Sequence, residues 1–317
     1  MKLERYTDSS LFMNNTYDVL YEHEAQNISI INDIRLDSEF SVSALSKTFA
    51  VKGWEDDSGI LGKLNDIICK DPERLLATVN DNCGSILLTA YCTYPYSRLT
   101  LFATNNKPDH AAVKLLADEL RSIGYKLPTI KAEHSLARSF AKAYGSEFTT
   151  HASLCAMRLD KVQESPKASG FSRPIEKRDL HFAPYWKMEC LRECNQSQMP
   201  LDALHHAYSH TIDDASRYLW EDCGPVSQAN ICESTENGSS IGDVYTPPFY
   251  RGKGYATSLV AELSQVVLDR GKLFCTLLAD ASNPTSCGIY RKIGYYDICT
   301  IDEIKFNQFA HFHTKGV

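Results

Sequence analysis

The chain has 317 residues, 43% of them hydrophobic, with 33 Lys and Arg against 40 Asp and Glu, for a formal net charge of -7. That length suits two compact domains better than one. The acidic balance and the lack of a Lys/Arg cluster count against a protein that tracks nucleic-acid phosphates, and no apolar run approaches the length that spans a bilayer.

The N-terminus, Met1 to Asp8, is charged and lacks an apolar signal core. Eleven cysteines, an odd number without a CxxC pair, fit free thiols in a reducing compartment, so a cytoplasmic location is expected. Residues 1–73 read as mostly helical, with 17–25 and 60–69 the clearest amphipathic stretches. Short β-rich runs at 74–79, 85–91 and 99–103 read as strands, the first two joined by a hairpin at Asn80-Asp81-Asn82-Cys83-Gly84. Then follow a helix over 108–124, a strand over 127–131, a helix over 134–144 and a strand over 152–159. The polar, proline-bearing, aperiodic stretch 163–173 marks a domain boundary. This divides the chain into domains 1–165 and 166–317.

In the second half, 178–195 and 201–218 read as helices and 224–232 as a strand. A hairpin through Asn237-Gly238 then leads into a strand over 240–246, which Pro247 and Pro248 end because neither can donate to a sheet ladder. Next comes Arg251-Gly252-Lys253-Gly254-Tyr255-Ala256, a glycine turn that opens an amphipathic helix over 255–270. Such a turn lets backbone amides approach a diphosphate with no side chain in the way. After a strand over 272–279, an Asn-Pro turn starts a short helix on which Asn283, Ser286, Cys287 and Tyr290 share one face and line one groove. A dinucleotide fold is disfavoured because Thr257 stands where its third glycine belongs, and a P-loop because no Gly-Lys-Ser/Thr occurs. A plain glycine turn with no ligand remains the bland alternative.

The sequence around these turns resembles the GNAT superfamily of acetyl-CoA-dependent N-acyltransferases. Residues 251–256 fit its Arg/Gln-x-x-Gly-x-Gly/Ala signature, and Asn283 with Tyr290 fits its later Asn-x6-Tyr pair. The stretch 241–296 is most similar to a tandem-domain branch worded VYTPPxxRGKGYA and NPTSNxIYxKIGY, with Cys287 in place of that branch's second Asn. The resemblance implies an α/β (α+β) fold of tandem GNAT-like domains, each a mixed, mostly antiparallel sheet flanked by helices. The strand-helix order of 74–159 matches the same core, but its equivalent turn, 102–109, has no glycine and carries Asp109. A Cβ there would crowd a pyrophosphate and Asp109 would repel it, so the first domain is expected not to bind CoA.

The resemblance further implies acetyl-CoA as co-substrate and no metal. Backbone groups of Arg251, Gly252, Lys253, Gly254, Tyr255 and Ala256 would hold its pyrophosphate, Val244, Tyr245 and Thr246 would pair with the pantetheine arm, and Asn283, with Ser286 beside it, would bond that arm. Tyr290 is the candidate general acid, a phenol able to protonate a departing thiolate. The base is not legible: Asp243 is the nearest carboxylate to the thioester strand, with Glu221, Asp222 and Glu236 as other candidates. His206 and His210, four apart on a helix, have the spacing of half a metal site, but with no placed third ligand they read as a solvated or acceptor-facing helix surface, and Cys190 and Cys194 read as packing groups. The expected reaction is direct acetyl transfer, in a ternary complex, to a small amine, amino acid or peptide acceptor, with no nucleic-acid or membrane partner and an open oligomeric state. A non-catalytic acyl-CoA sensor, or an amino-acid N-acyltransferase with a longer acyl donor, are the alternatives.

Overall fold

A computed structural model describes residues 1–39, 75–92, 98–164, 166–194 and 199–307. The chain divides into two compact units, 1–154 with 299–317, and 155–298. The sequence boundary at 165/166 therefore differs from the division at 154/155, and the described residues 299–307 group with the first unit. Two long strands, β6 (Phe148–Leu159) and β12 (Tyr296–Phe306), each contribute residues to both units.

In the first unit, β1 (Lys2–Arg5), β2 (Leu75–Asn80), β3 (Ile86–Cys92) and β4 (Arg98–Ala103) form an antiparallel run, β5 (Thr129–Glu133) joins β4 in parallel, and β12 pairs antiparallel with β5. The β2–β3 hairpin closes because Asp81 Oδ1 accepts from the amides of Cys83 and Ser85, both at 2.8 Å. Helix α1 (Ser9–Glu22) is capped by Asp8 and followed by α2 (Glu24–Glu39). Helix α3 (His110–Ser122) buries Ala112, Val113, Leu116, Ala117 and Leu120, one stripe at helical spacing. Helix α4 (His134–Tyr144) starts under the Glu133 side chain and stops at left-handed Gly145. The stretch 60–69 and nearly all of the tail after Phe306 lie outside the described residues.

The second unit repeats the pattern. Strands β7 (Phe171–Pro174), β8 (Arg217–Glu221), β9 (Pro225–Ser234) and β10 (Gly238–Tyr245) run antiparallel, and β11 (Phe274–Asp280) joins β10 in parallel. Helix α7 (Tyr255–Asp269) makes the β10–β11 crossover and buries Leu259, Val260, Leu263 and Val267; α8 (Pro284–Ile293) follows β11. These elements share a core with Met157, Trp220, Ile241, Leu277 and Ile293. Helices α5 (Ala183–Glu193) and α6 (Leu201–Thr211) pack through Ala183 and Tyr208 against Ile175 and Leu219. Among the described residues no helix is long and apolar enough to cross a membrane.

Three stretches depart from the sequence expectation, and a fourth, 296–306, carries none. Helix α5 begins at Ala183 rather than 178, because Pro184 has no N–H to donate and fits only a first turn. The expected helix over 201–218 ends at Thr211, and Arg217 and Tyr218 instead open strand β8, whose side chains alternate between two buried faces. The supposed linker 163–173 is held in place: the Gln163 amide donates to Ile293 O at 2.7 Å, the Ala168 amide to Ser258 Oγ at 2.8 Å, and Trp220 Nε1 to Ser169 O at 2.7 Å. The segment's main-chain groups make these bonds, and Ser169 Oγ and Lys167 Nζ add side-chain ties to Asp222 and Glu262. Strand β12 carries no clear alternation in its sequence and is settled by its ladder to β5, Ile301↔Glu133 to Lys305↔Thr129.

Gly238 starts β10 because a Cβ there would lie 2.0 Å from the Phe274 ring. We expect Gly238→Ala to cost about 1–3 kcal/mol in urea denaturation, the range for overpacking a filled core.

Candidate active site

Strand β10 changes character half way along. Its parallel ladder to β11 runs from Gly238↔Phe274 to Ser240↔Thr276, and beyond Ile241 its ladder is to β9 alone, with an irregular register between Gly242 and Tyr245. At that irregularity Asp243 has φ +54°, a left-handed conformation costly for a residue with a Cβ. The bulge turns β10 aside and leaves its 241–245 edge without a β11 partner. Val244, Tyr245 and Thr246 lie on this diverging segment. The Ser227 hydroxyl bonds Tyr245 O at 3.2 Å and Thr246 Oγ1 at 2.9 Å, which keeps the strand end in place.

Asp243 itself sits between two cations. Arg217 Nη2 donates to its Oδ2 at 2.9 Å and Lys187 Nζ to its Oδ1. Arg217 is buried on β8 and stacks over the Tyr208 ring at 4.0 Å. Tyr208, Cys190 and Cys232 lie in the same electrostatic neighbourhood. Burial alone would raise the Asp243 carboxyl, but Arg217 and Lys187 outweigh it and hold the carboxyl below its usual range. A carboxylate so held is a poor proton acceptor near neutral pH, so this geometry argues against the sequence expectation of Asp243 as base. The other carboxylates on β8 and its turn are also engaged. Glu221 pairs with Arg173, while Asp222 accepts from Tyr255 Oη at 2.5 Å and Ser169 Oγ at 2.7 Å. Those hydroxyls lower the Asp222 carboxyl as well. Glu236 stands in the β9–β10 hairpin, away from the Asp243 bulge.

The glycine turn follows a single 3-10 turn, Pro248–Tyr250. Gly252 (φ +78°) and Gly254 (φ +82°) are both left-handed; a Cβ at Gly252 would meet open space, and one at Gly254 only Ala168 Cβ at 3.8 Å. Helix α7 starts at Tyr255 with no side-chain cap, so its first amides point out of the turn. Arg251 does not extend toward them. Its Nε donates to Thr246 O at 2.8 Å, its Nη2 to both Glu193 oxygens at 2.8 Å, and its own amide bonds Pro248 O at 3.3 Å. Arg251 thus ties the strand end to α5, and Gly252 to Ala256 carry the outward-facing turn. The equivalent helix of the first unit differs at this point, since Asp109 Oδ1 already accepts from the Ala111 and Ala112 amides at 2.9 Å.

Helix α8 supplies the remaining side chains. Asn283 is its N-cap, its Oδ1 accepting from the Ser286 amide at 3.0 Å, which leaves the Nδ2 hydrogens for another partner. Tyr290 is 8% exposed, and burial raises its phenol. Tyr290 therefore stays protonated through neutral pH. Cys287 is buried and donates to Asp280 O at 3.6 Å, while Cys190 Sγ lies 3.9 Å from Val244 O. The His206 and His210 Nε2 atoms lie 3.3 Å apart on the surface with the rings edge to face, and among the described residues no group of three metal-ligating side chains occurs.

Residues 225–303, from β9 into β12, match the family model described as FR47-like protein. No curated protein matches the chain by sequence. Among solved structures, an acetyltransferase of the GNAT family from Colwellia psychrerythraea is similar over 96% of this chain and 100% of its own, at 10% identity and a TM-score of 0.54. A GCN5-related N-acetyltransferase from Sphaerobacter thermophilus aligns over 81% and 88% at 17% identity and 0.53, and a Drosophila protein over 96% and 98% at 13% and 0.56. The chain has the GNAT fold over nearly its whole length, and the family-model match spans both motifs.

Sequence reasoning missed Arg217, Lys187 and Glu193, which reach Asp243 and Arg251 from 26 to 58 positions away. No local pattern marks such pairs. The folded Asp243 carboxyl lies below its unfolded value near 4, so its stabilisation is complete above about pH 5 and is lost as pH falls toward the folded value. Chemical denaturation should show wild type more stable than Asp243→Asn at pH 7, with the gap narrowing below pH 4.

Proposed function

We propose that this protein is an N-acetyltransferase that transfers the acetyl group of acetyl-CoA to an amine by direct attack, with its active site in the second unit. The observation that carries this reading is the pairing of a diverging β10 edge with an uncapped α7 start across a two-glycine turn. The edge offers main-chain groups to a pantetheine arm, and the turn offers amides to a pyrophosphate. Asn283 Nδ2 would bond the arm, with Ser286 beside it on the same helix face. In the first unit Asp109 occupies the helix-start amides, which supports assigning it no acyl-CoA site.

The neutral amine would add to the thioester carbonyl carbon, and a β10 amide at 244–246 would stabilise the oxyanion. The carbon–sulfur bond then breaks, Tyr290 gives its proton to the leaving thiolate, and the amine proton leaves to solvent. Burial keeps Tyr290 protonated and so available as a donor at neutral pH, while making it a weaker acid. With Asp243, Glu221 and Asp222 all held by partners, deprotonation of the amine is assigned to water rather than to a side chain. The scattered cysteine content supports a cytoplasmic setting.

Calorimetric titration with acetyl-CoA tests the cradle. Wild type should bind, and Gly254→Trp should not, while both keep the same circular dichroism; binding by the variant would refute the turn as the pyrophosphate site. For the acid, CoA release should be followed over a panel of primary amines, amino acids and peptide N-termini. Tyr290→Phe should lower kcat by roughly 10²–10⁴ with little change in acetyl-CoA affinity.

A further inference from the structure

Asp243 is an expensive residue where it stands. It is a non-glycine residue at φ +54°, its carboxylate is largely buried, and two cations from separate elements, Arg217 on β8 and Lys187 on α5, converge on its two oxygens. A solubilising or base-like carboxylate needs neither cation. The strand beside it loses β11 as a partner just before this position. A Cβ at Gly242, the preceding residue, would lie 2.8 Å from Cys232 Sγ, so a side chain there would require that thiol to rotate away. Backbone and charge therefore agree on one conformation at residue 243.

From these contacts we infer that Asp243, Lys187 and Arg217 form an electrostatic lock that holds the β10 bulge open, making Asp243 a positioning residue for the acyl-CoA groove. This rests on the acyl-CoA reading above. The pair of cations matters because each comes from a different side. Arg217 fixes Asp243 to the sheet, and Lys187 fixes it to the helix whose Cys190 approaches Val244 O and whose Glu193 holds Arg251. Release of Asp243 would let residue 243 return to extended backbone and β10 close toward β11, narrowing the edge on which a pantetheine arm would pair.

The distinguishing experiment uses two substitutions that both remove the carboxylate. Asn tolerates left-handed backbone and keeps an oxygen for Arg217 or Lys187, whereas β-branched Val cannot adopt φ +54°. In calorimetric titration with acetyl-CoA, Asp243→Asn, which keeps the backbone but loses the charge, should weaken binding at least about fivefold, and Asp243→Val, which loses both, at least about twentyfold. If Val does not fold, Lys187→Met, which leaves residue 243 intact, should weaken binding at least about fivefold. Wild-type affinity in Asn or Val, or in Lys187→Met where Val is unfolded, overturns the lock. The best amine from the panel supplies a second readout: turnover of Asp243→Asn should keep the wild-type pH profile. A lost pH limb with unchanged acetyl-CoA affinity would instead make Asp243 the base. Absence of binding by wild type itself would overturn the acyl-CoA reading, an outcome separate from any difference among the variants.

Discussion

A left-handed aspartate held by two cations decides how β10 can be used. At an effective dielectric near 20, an ion pair at about 3 Å has a gross attraction of roughly 5–6 kcal/mol, while taking each charge out of water costs several. With Arg217 and Lys187 both on Asp243, two such attractions act on one carboxylate and oppose the roughly 1–2 kcal/mol that a left-handed non-glycine residue costs. The bulge joins β8, α5 and β10 at one residue, beside Val244 and Tyr245 on the segment that lies beyond the last β11 pair.

The two units show how little separates a ligand cradle from a closed helix start. Each has four antiparallel strands, a helical crossover and a parallel fifth strand, and in each the parallel ladder spans three residue pairs. The difference lies at the helix N-terminus. In α3 the Asp109 carboxylate takes the first amides and offsets the positive end of the helix dipole. In α7 two left-handed glycines bring the chain round with no side chain to do so. The repulsion expected from Asp109 is thus accompanied by a second effect, occupation of the very donors a phosphate would use.

Much of this was legible because the informative features are local. Hairpin, cap and glycine-turn chemistry act over a few residues, and the amphipathic stripes of α3, α4 and α7 repeat at helical spacing, so these elements fall close to where their sequences put them. The misreadings occur where local cues conflict with long-range pairing. Arg217 and Tyr218 continue the helical pattern of α6 by composition, yet their ladder to Asn230 and Ala229 makes them strand. Residues 163–173 look like a linker because they are polar, yet their polar groups bond within the second unit.

The sequence by itself determined the GNAT-type turn and the Asn283/Tyr290 face, since each is a short pattern whose spacing sets its geometry. Only the tertiary structure decided what surrounds them. Asp243, nominated from its position in the chain, proves to be ion-paired to residues 26 and 56 positions away, and Arg251, the first residue of the signature, turns back onto Glu193 and Thr246. The physical reason is that a charged side chain's chemistry depends on the partners folding delivers within about 4 Å, and sequence spacing carries no information about partners on other strands and helices.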